Sequence, residues 1–251
     1  MLGLLHLATL SGYGLHLVLQ LKQGSGNYRL HWLLLLSLGA HLATLLLPLI
    51  NGNFGFFSSL SLVSWMCVAL VLCWRNLAFV LVWLVPLALV ASALHAQVHN
   101  SYQLTSGNDL VLFVHAGISI LALALVALCT LVLAYYRMRS GQLKHLAGTQ
   151  WGFVPALETI ERLAQQLLHA SLLVLGLGLV TGAVFVQDFL AQHLAHKTFF
   201  SCIAWLLLLF ATLGRRRGAL GWDRLFWYLL VASGLLLLGY FGSRFVLEFL
   251  L

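Results

Sequence analysis

Acidic side chains are nearly missing from this sequence: Asp and Glu together number 6 in 251 residues. Catalysis by paired carboxylates therefore has little to draw on. Cysteines number only 4, and no two are spaced Cys-x-x-Cys. That excludes a disulfide-built secreted scaffold and argues against thiol redox chemistry. Cys67, Cys73, Cys129 and Cys202 all fall in apolar runs and read as small core residues. There is no phosphate-binding glycine loop, no Gly-x-Ser-x-Gly elbow and no His-Glu-x-x-His helix. Charged residues of both signs make up 8% of the chain, against 62% hydrophobic residues and a mean hydropathy of +0.99. Soluble domains carry about 25% charged residues. A soluble globular protein is excluded, and so is a disordered chain.

Long apolar runs are what the sequence has instead. They fall at about Leu2–Leu21, Leu30–Ile50, Phe57–Trp74, Leu77–Leu94, Leu110–Tyr136, Leu167–Val186, Phe199–Leu213 and Leu225–Leu247. A span needs about 20 apolar residues, and only helices or closed barrels satisfy their backbone groups in lipid. The runs are continuous rather than alternating, so they read as helices. The third and seventh are short and are expected to draw outer turns from the polar residues before them. Pro155–Gln166, with Glu158, Glu161 and Arg162 between apolar positions, reads as an interfacial helix leading into the sixth span. Gly178 and Gly182, four apart in that span, allow another helix to approach closely. No internal repeat stands out.

Charge sets the orientation. Lys22, Arg29, Arg75, Arg137, Arg139, Lys144, Arg162, Arg215, Arg216, Arg217 and Arg224 follow odd-numbered spans, leaving only Lys197 and Arg244 elsewhere. The positive-inside rule makes those loops cytoplasmic. The expected fold is an all-α polytopic membrane bundle, a single membrane domain over 1–251 with about eight transmembrane helices and both termini outside. The first run lacks a basic leader and a cleavage site, so it reads as a retained span. The net charge of +7 is topology signal plus attraction to anionic lipid, and basic residues split among four loops make nucleic acid a poor partner.

Histidine stands out, with 11 residues, most of them in or beside spans. Ionisable groups in a bilayer are costly and face a partner, a cavity or a cofactor. His6, His41, His95, His99, His115, His193 and His196 fall in the middle or outer half. His16, His31, His145 and His169 fall in the cytoplasmic half. His95 and His99 are four apart, on one helical face. Imidazole ligates haem iron, zinc and copper. Abundant apolar and aromatic walls, with Lys197 and Arg244 outside as partners for propionates, favour haem over a bare metal. For any single histidine, a hydrogen-bonded packing role is the commoner one.

Several segments resemble the cytochrome c assembly family. They are Asn108-Asp109-Leu-Val-Leu-Phe-Val-His115-Ala-Gly-Ile-Ser; Leu157-Glu-Thr-Ile-Glu161-Arg followed by Leu-Gly-Leu-Gly-Leu-Val-Thr181-Gly182-Ala-Val-Phe; and Ala195-His196-Lys197-Thr198 through Ala204-Trp205. The closing pieces are Arg217-Gly218 through Gly221-Trp222 and Gly239-Tyr-Phe-Gly-Ser-Arg244-Phe. Asn53-Phe-Gly-Phe-Phe through Trp65, and His41 in Gly39-Ala-His41-Leu-Ala, resemble earlier parts. The ordered set covers about residue 35 to the end and is most similar to the short HemX/YpjD-type branch, inner-membrane proteins related to the haem-handling CcsA. The resemblance implies that His115 is an external haem ligand. Two departures stand out. Gln187–His196 holds no tryptophan where haem-delivery relatives carry a Trp-rich loop, and the chain stops at Leu251 before a second external histidine.

The resemblance and the histidines together imply a haem-binding, haem-handling inner-membrane protein associated with cytochrome c maturation. It would hold a non-covalent b-type haem through His115 and His196 as axial ligands. His41 and His99 are reserves, and Lys197 and Arg244 neutralise propionates. Membrane lipid and other cytochrome c maturation or membrane proteins are the expected partners, and bond-making catalysis is not expected. Two other classes stay open. One is a cofactor-free accessory or regulatory protein, partnering haem synthesis or metal-ion transport. The other is a small metal-ion transporter.

Overall fold

The computed structural model describes residues 2–23, 28–50, 55–97, 110–144, 155–185 and 192–242. Every regular element among them is helical: α1 (Leu2–Gln23), α2 (Tyr28–Ile50), α3 (Phe56–Cys73), α4 (Leu81–Gln97), α5 (Leu110–Lys144), α6 (Leu157–Phe185), α7 (Gln192–Arg216) and α8 (Trp222–Leu237). A 3-10 turn, Arg75–Val80, leads into α4, and a π-helical turn, Leu238–Gly242, extends α8. Seven of the helices are long and apolar enough to cross a membrane, and α2 contains a shorter apolar stretch, Trp32–Pro48. The chain therefore forms the expected all-α polytopic membrane bundle.

Two boundaries differ from the sequence reading. The segment read as a separate interfacial helix is the first part of α6, which runs unbroken from Leu157. Its amphipathic start carries the Glu158–Arg162 pair at 3.3 Å on an exposed face, one helical turn apart, and nothing there stops the helix. Likewise α7 starts at Gln192, so that His193 and His196 lie in its first turns, ahead of the apolar span Lys197–Arg216. That helix does draw its outer turns from polar residues, as expected for a short apolar run.

The chain divides into two compact units, one holding α1–α4 and the other α5–α8. In the first, α1 packs on α2 and α4, and α3 packs on α2 and α4. In the second, α5 packs on α6 and α8, and α7 packs on α6 and α8. Each unit is thus a closed ring of four helices in the same order. Local devices repeat with the order. Ser37 and Ser171 each donate to the carbonyl four residues back, at 2.7 Å in both cases. The next residue offers its carbonyl to an indole on the third helix of the unit: Trp65 Nε1 to Leu38 at 2.9 Å, Trp205 Nε1 to Leu172 at 3.1 Å. Each indole sits four residues after a buried serine, Ser61 or Ser201. On the fourth helices the string Leu-Val-Ala-Ser recurs at 89–92 and 230–233. Its Ala and Ser are buried in both places. The two units thus repeat one helix order and these local devices, a correspondence that does not stand out in the sequence.

In the second unit, one end gathers cations. Arg137 pairs with Asp223 at 3.3 Å and lies over the rings of Phe226 and Trp227. Arg215 lies 3.8 Å from the ring centre of Trp222 and donates to the Leu220 carbonyl. The turn between α7 and α8 closes through Gly218 at φ +68°, a left-handed conformation that glycine adopts without Cβ strain. The amide of Ala219 donates to the Gly214 carbonyl there.

Candidate functional site

The opposite end of the second unit carries the histidine that the family resemblance singles out. His115 lies in the second turn of α5 and is half-buried. Its Nδ1 is 3.1 Å from the hydroxyl of Thr181 on α6. That hydroxyl is also 3.1 Å from the Gly178 carbonyl three residues back. When its one proton goes to that carbonyl, Thr181 accepts from His115, the imidazole proton sits on Nδ1, and Nε2 keeps its lone pair. A metal-binding histidine is commonly oriented in this way, with the other ring nitrogen donating to a fixed acceptor.

The supports of this pair are small residues. Gly178 is buried, and a Cβ there would meet Ile118 Cγ2 at 3.6 Å and Ser119 Oγ at 3.9 Å, so α5 and α6 approach closely beside the histidine. Ser119, one turn further along α5 from His115, is buried, with the Tyr240 side chain of the π-helical turn nearby. Gly239 in the same turn lies against the backbone of α7: a Cβ there would stand 3.7 Å from Lys197 Cα and 3.3 Å from Phe200 Cβ. All four helices of the unit therefore contribute to this end, α8 through its π-helical extension. Val114, Val184 and Phe199 give it an exposed apolar rim.

The other candidates named from the sequence divide. Lys197 is half-buried on α7. His196 precedes it on the same helix, and its side chain lies outside the described residues, as do His99 and Arg244 altogether. His41 belongs to the other unit. It is completely buried, with Nδ1 3.0 Å from the Tyr13 hydroxyl and Nε2 2.7 Å from the Ser61 hydroxyl. Both ring nitrogens are engaged, so ligation there would require breaking one of these bonds. His95 is similarly held between the Ser58 hydroxyl at 3.1 Å and the Thr44 carbonyl at 3.3 Å. None of the four cysteines is in a disulfide. Among the described residues no three His, Cys, Asp or Glu side chains converge as a metal-ligand set.

Thr181, Ser119 and Tyr240 had no assigned role in the sequence. Thr181 stood only inside a matched segment. The available signal was a hydroxyl residue near the same end of its span as His115.

Comparison with known proteins supplies the family. The family model for cytochrome c assembly protein matches residues 29–251. Inner membrane protein YpjD of Escherichia coli strain K12 is 29% identical over 198 residues, covering 74% of this chain and 72% of its own length. YpjD from Escherichia coli O6:H1 and from O157:H7 match with the same identity and coverage. No solved structure matches the chain significantly.

Proposed function

The chain belongs to the cytochrome c assembly protein family, and from that premise we propose that it is a haem-handling protein of the bacterial inner membrane, associated with cytochrome c maturation. The observation that carries the proposal is the chain His115–Thr181–Gly178. It fixes an imidazole with its basic nitrogen unpartnered, at a half-exposed position beside an apolar rim. That is the donor and the surroundings a porphyrin iron requires.

In this reading His115 binds the iron through Nε2, and Thr181 holds the ring in the required tautomer and direction. His196, one residue before Lys197 on α7, is the second imidazole. Lys197 and Arg244 neutralise the propionates. Haem, when bound, would supply an iron able to accept imidazole nitrogens. The protein contributes ligands, orientation and burial, and bond-making catalysis is not assigned to it. His41 is a weaker candidate than its sequence position implied, because Tyr13 and Ser61 already hold both its nitrogens. His99 stays in reserve. The inner-membrane placement is supported by the likeness to YpjD, an inner membrane protein, and by the charge asymmetry of the loops. Lipid and a component of cytochrome c maturation are the partners it implies.

The test is an absorption spectrum of detergent-purified protein, before and after dithionite. A Soret band that sharpens on reduction, with split visible bands, supports a low-spin two-histidine site. Its loss or shift in His115→Ala and His196→Ala identifies the ligands. A colourless protein that also leaves added hemin unbound sinks the proposal and assigns a cofactor-free accessory role, the reading favoured by the tryptophan-free stretch Gln187–His196.

A further inference from the structure

α1 is built inside out. Its Leu4 and Leu7 are 73% and 65% exposed, whereas Thr9, Tyr13, His16 and Gln20 are all buried. These four stand at i, i+4, i+7 and i+11, one per helical turn, so they form a polar lane along one face of the helix. The lane has His6 at its start and ends two residues before Lys22, so it runs almost the whole length of a span.

Facing helices of the same unit line it with groups that can take up and release a proton. His41 of α2 bridges Tyr13 of α1 and Ser61 of α3. His95 of α4 bridges Ser58 and the Thr44 carbonyl, with the ring of His6 edge-on at 5.4 Å. No Asp, Glu, Lys or Arg is buried in this unit among the described residues. Among the described residues no three His, Cys, Asp or Glu side chains converge there as a metal-ligand set.

Two observations separate the lane from ordinary packing. The second unit builds the same ring of helices with a mostly aliphatic α5, where Ala122, Leu123, Val126 and Leu133 are buried and the buried polar groups are the small hydroxyls of Ser119 and Thr130. Buried imidazole, phenol and amide groups are thus not what the architecture needs. In addition, both amide atoms of Gln20 and the hydroxyl of Ser92 on α4 are buried with no hydrogen-bond partner among the described residues. Buried polar groups are almost always satisfied, by ordered water where the protein supplies no partner. Water along the lane would satisfy these atoms.

We propose that the first unit holds a file of water along this lane and conducts protons through it from one end of the four-helix ring to the other. The step at His41 balances by itself. A proton accepted at one ring nitrogen is matched by one released from the other, and the Tyr13 and Ser61 hydroxyls pass it on. Only N–H and O–H bonds form and break, so no oxidant or co-reactant is needed. The proposal goes beyond haem handling and is independent of it.

The test uses the full-length protein in vesicles of phosphatidylcholine and phosphatidylglycerol enclosing a pH-sensitive dye. Valinomycin and a potassium gradient supply the voltage. The expected result is an internal pH change several-fold faster than in protein-free vesicles. Tyr13→Phe, which removes a single oxygen, and Gln20→Leu should each return it to the protein-free rate, while Thr130→Val in the second unit leaves it unchanged. Size-exclusion profiles matching the unmodified protein establish that the variants are folded. Unmodified protein no faster than bare vesicles overturns the proposal, as does a rate equal in the unmodified protein and both folded lane variants.

Discussion

The Nδ1 atom of His115 is hydrogen-bonded to the hydroxyl of Thr181, 3.1 Å away on the neighbouring helix. This bond decides which ring nitrogen is available, so its removal should act on a bound metal centre without removing the ligand. Thr181→Val keeps the shape and loses the acceptor. Loss of such an orienting group costs about 10- to 100-fold in metal affinity. Hemin titration should show a weakening of that order, with the Soret band retained. Thr181→Ser should restore binding, and His115→Ala should abolish the band. Equal affinity in Thr181→Val and the unmodified protein would separate the bond from ligand orientation.

Trp65 and Trp205 occupy matching places in the two rings, and each donates an indole proton to a backbone carbonyl on the second helix of its unit. Hydrogen bonds between membrane helices average about 0.6 kcal/mol, with a maximum near 1.7. Trp65→Phe and Trp205→Phe should each destabilise by about that amount plus lost packing, to similar extents, in detergent unfolding. A stronger test lies beside Trp205. A Cβ at Gly176 would stand 2.9 Å from its Nε1. Gly176→Ala must displace the indole or the helix, at about 1–3 kcal/mol for overpacking. Gly39 has open space where its Cβ would go, so Gly39→Ala should cost far less.

The sequence exposed the parts of this molecule that lipid constrains directly. Apolar runs became helices, since the bilayer admits few other shapes, while α5, α6 and α7 extend at one end beyond their runs into polar residues by 8, 10 and 7 residues. His115 was legible because a family segment surrounds it. The internal repeat was hidden because lipid selects for hydrophobicity rather than identity. Only scattered residues such as Ser37-Leu38, Ser171-Leu172 and the two Leu-Val-Ala-Ser strings recur among interchangeable aliphatics. Thr181 escaped notice because serine and threonine in spans usually bond to their own backbone. Thr181 does so with Gly178 and accepts from His115 as well. The lane on α1 was hidden by averaging: its leucines dominate the mean, and only burial shows that they face outward. His41 illustrates the converse, for a histidine at the right place in a family pattern is held by two hydroxyls.

Orientation in the membrane rests on the basic residues, and the turn at Gly218 is where to test it. Arg215, Arg216 and Arg217 immediately precede it and Arg224 follows. The positive-inside rule predicts that this turn is cytoplasmic. A green fluorescent protein fused after Gly218 should fluoresce, and alkaline phosphatase fused at the same point should be inactive. The reverse pattern would place the His115 end in the cytoplasm and remove it from any external haem.

The repeat also supplies a matched pair for asking whether the first unit is wet. Ser233 and Ser92 close the two Leu-Val-Ala-Ser strings. The Ser233 hydroxyl lies 2.8 Å from that of Thr130 on α5. The Ser92 hydroxyl is equally buried, with no partner among the described residues. Ser233→Ala should cost about 1 kcal/mol, the net worth of an ordinary hydrogen bond. If water satisfies Ser92, Ser92→Ala should cost a similar amount in the same detergent unfolding assay. If the site is dry, deleting an unsatisfied hydroxyl relieves a desolvation penalty, and Ser92→Ala should stabilise instead. The sign of that one substitution distinguishes a hydrated lane from a polar defect in the packing.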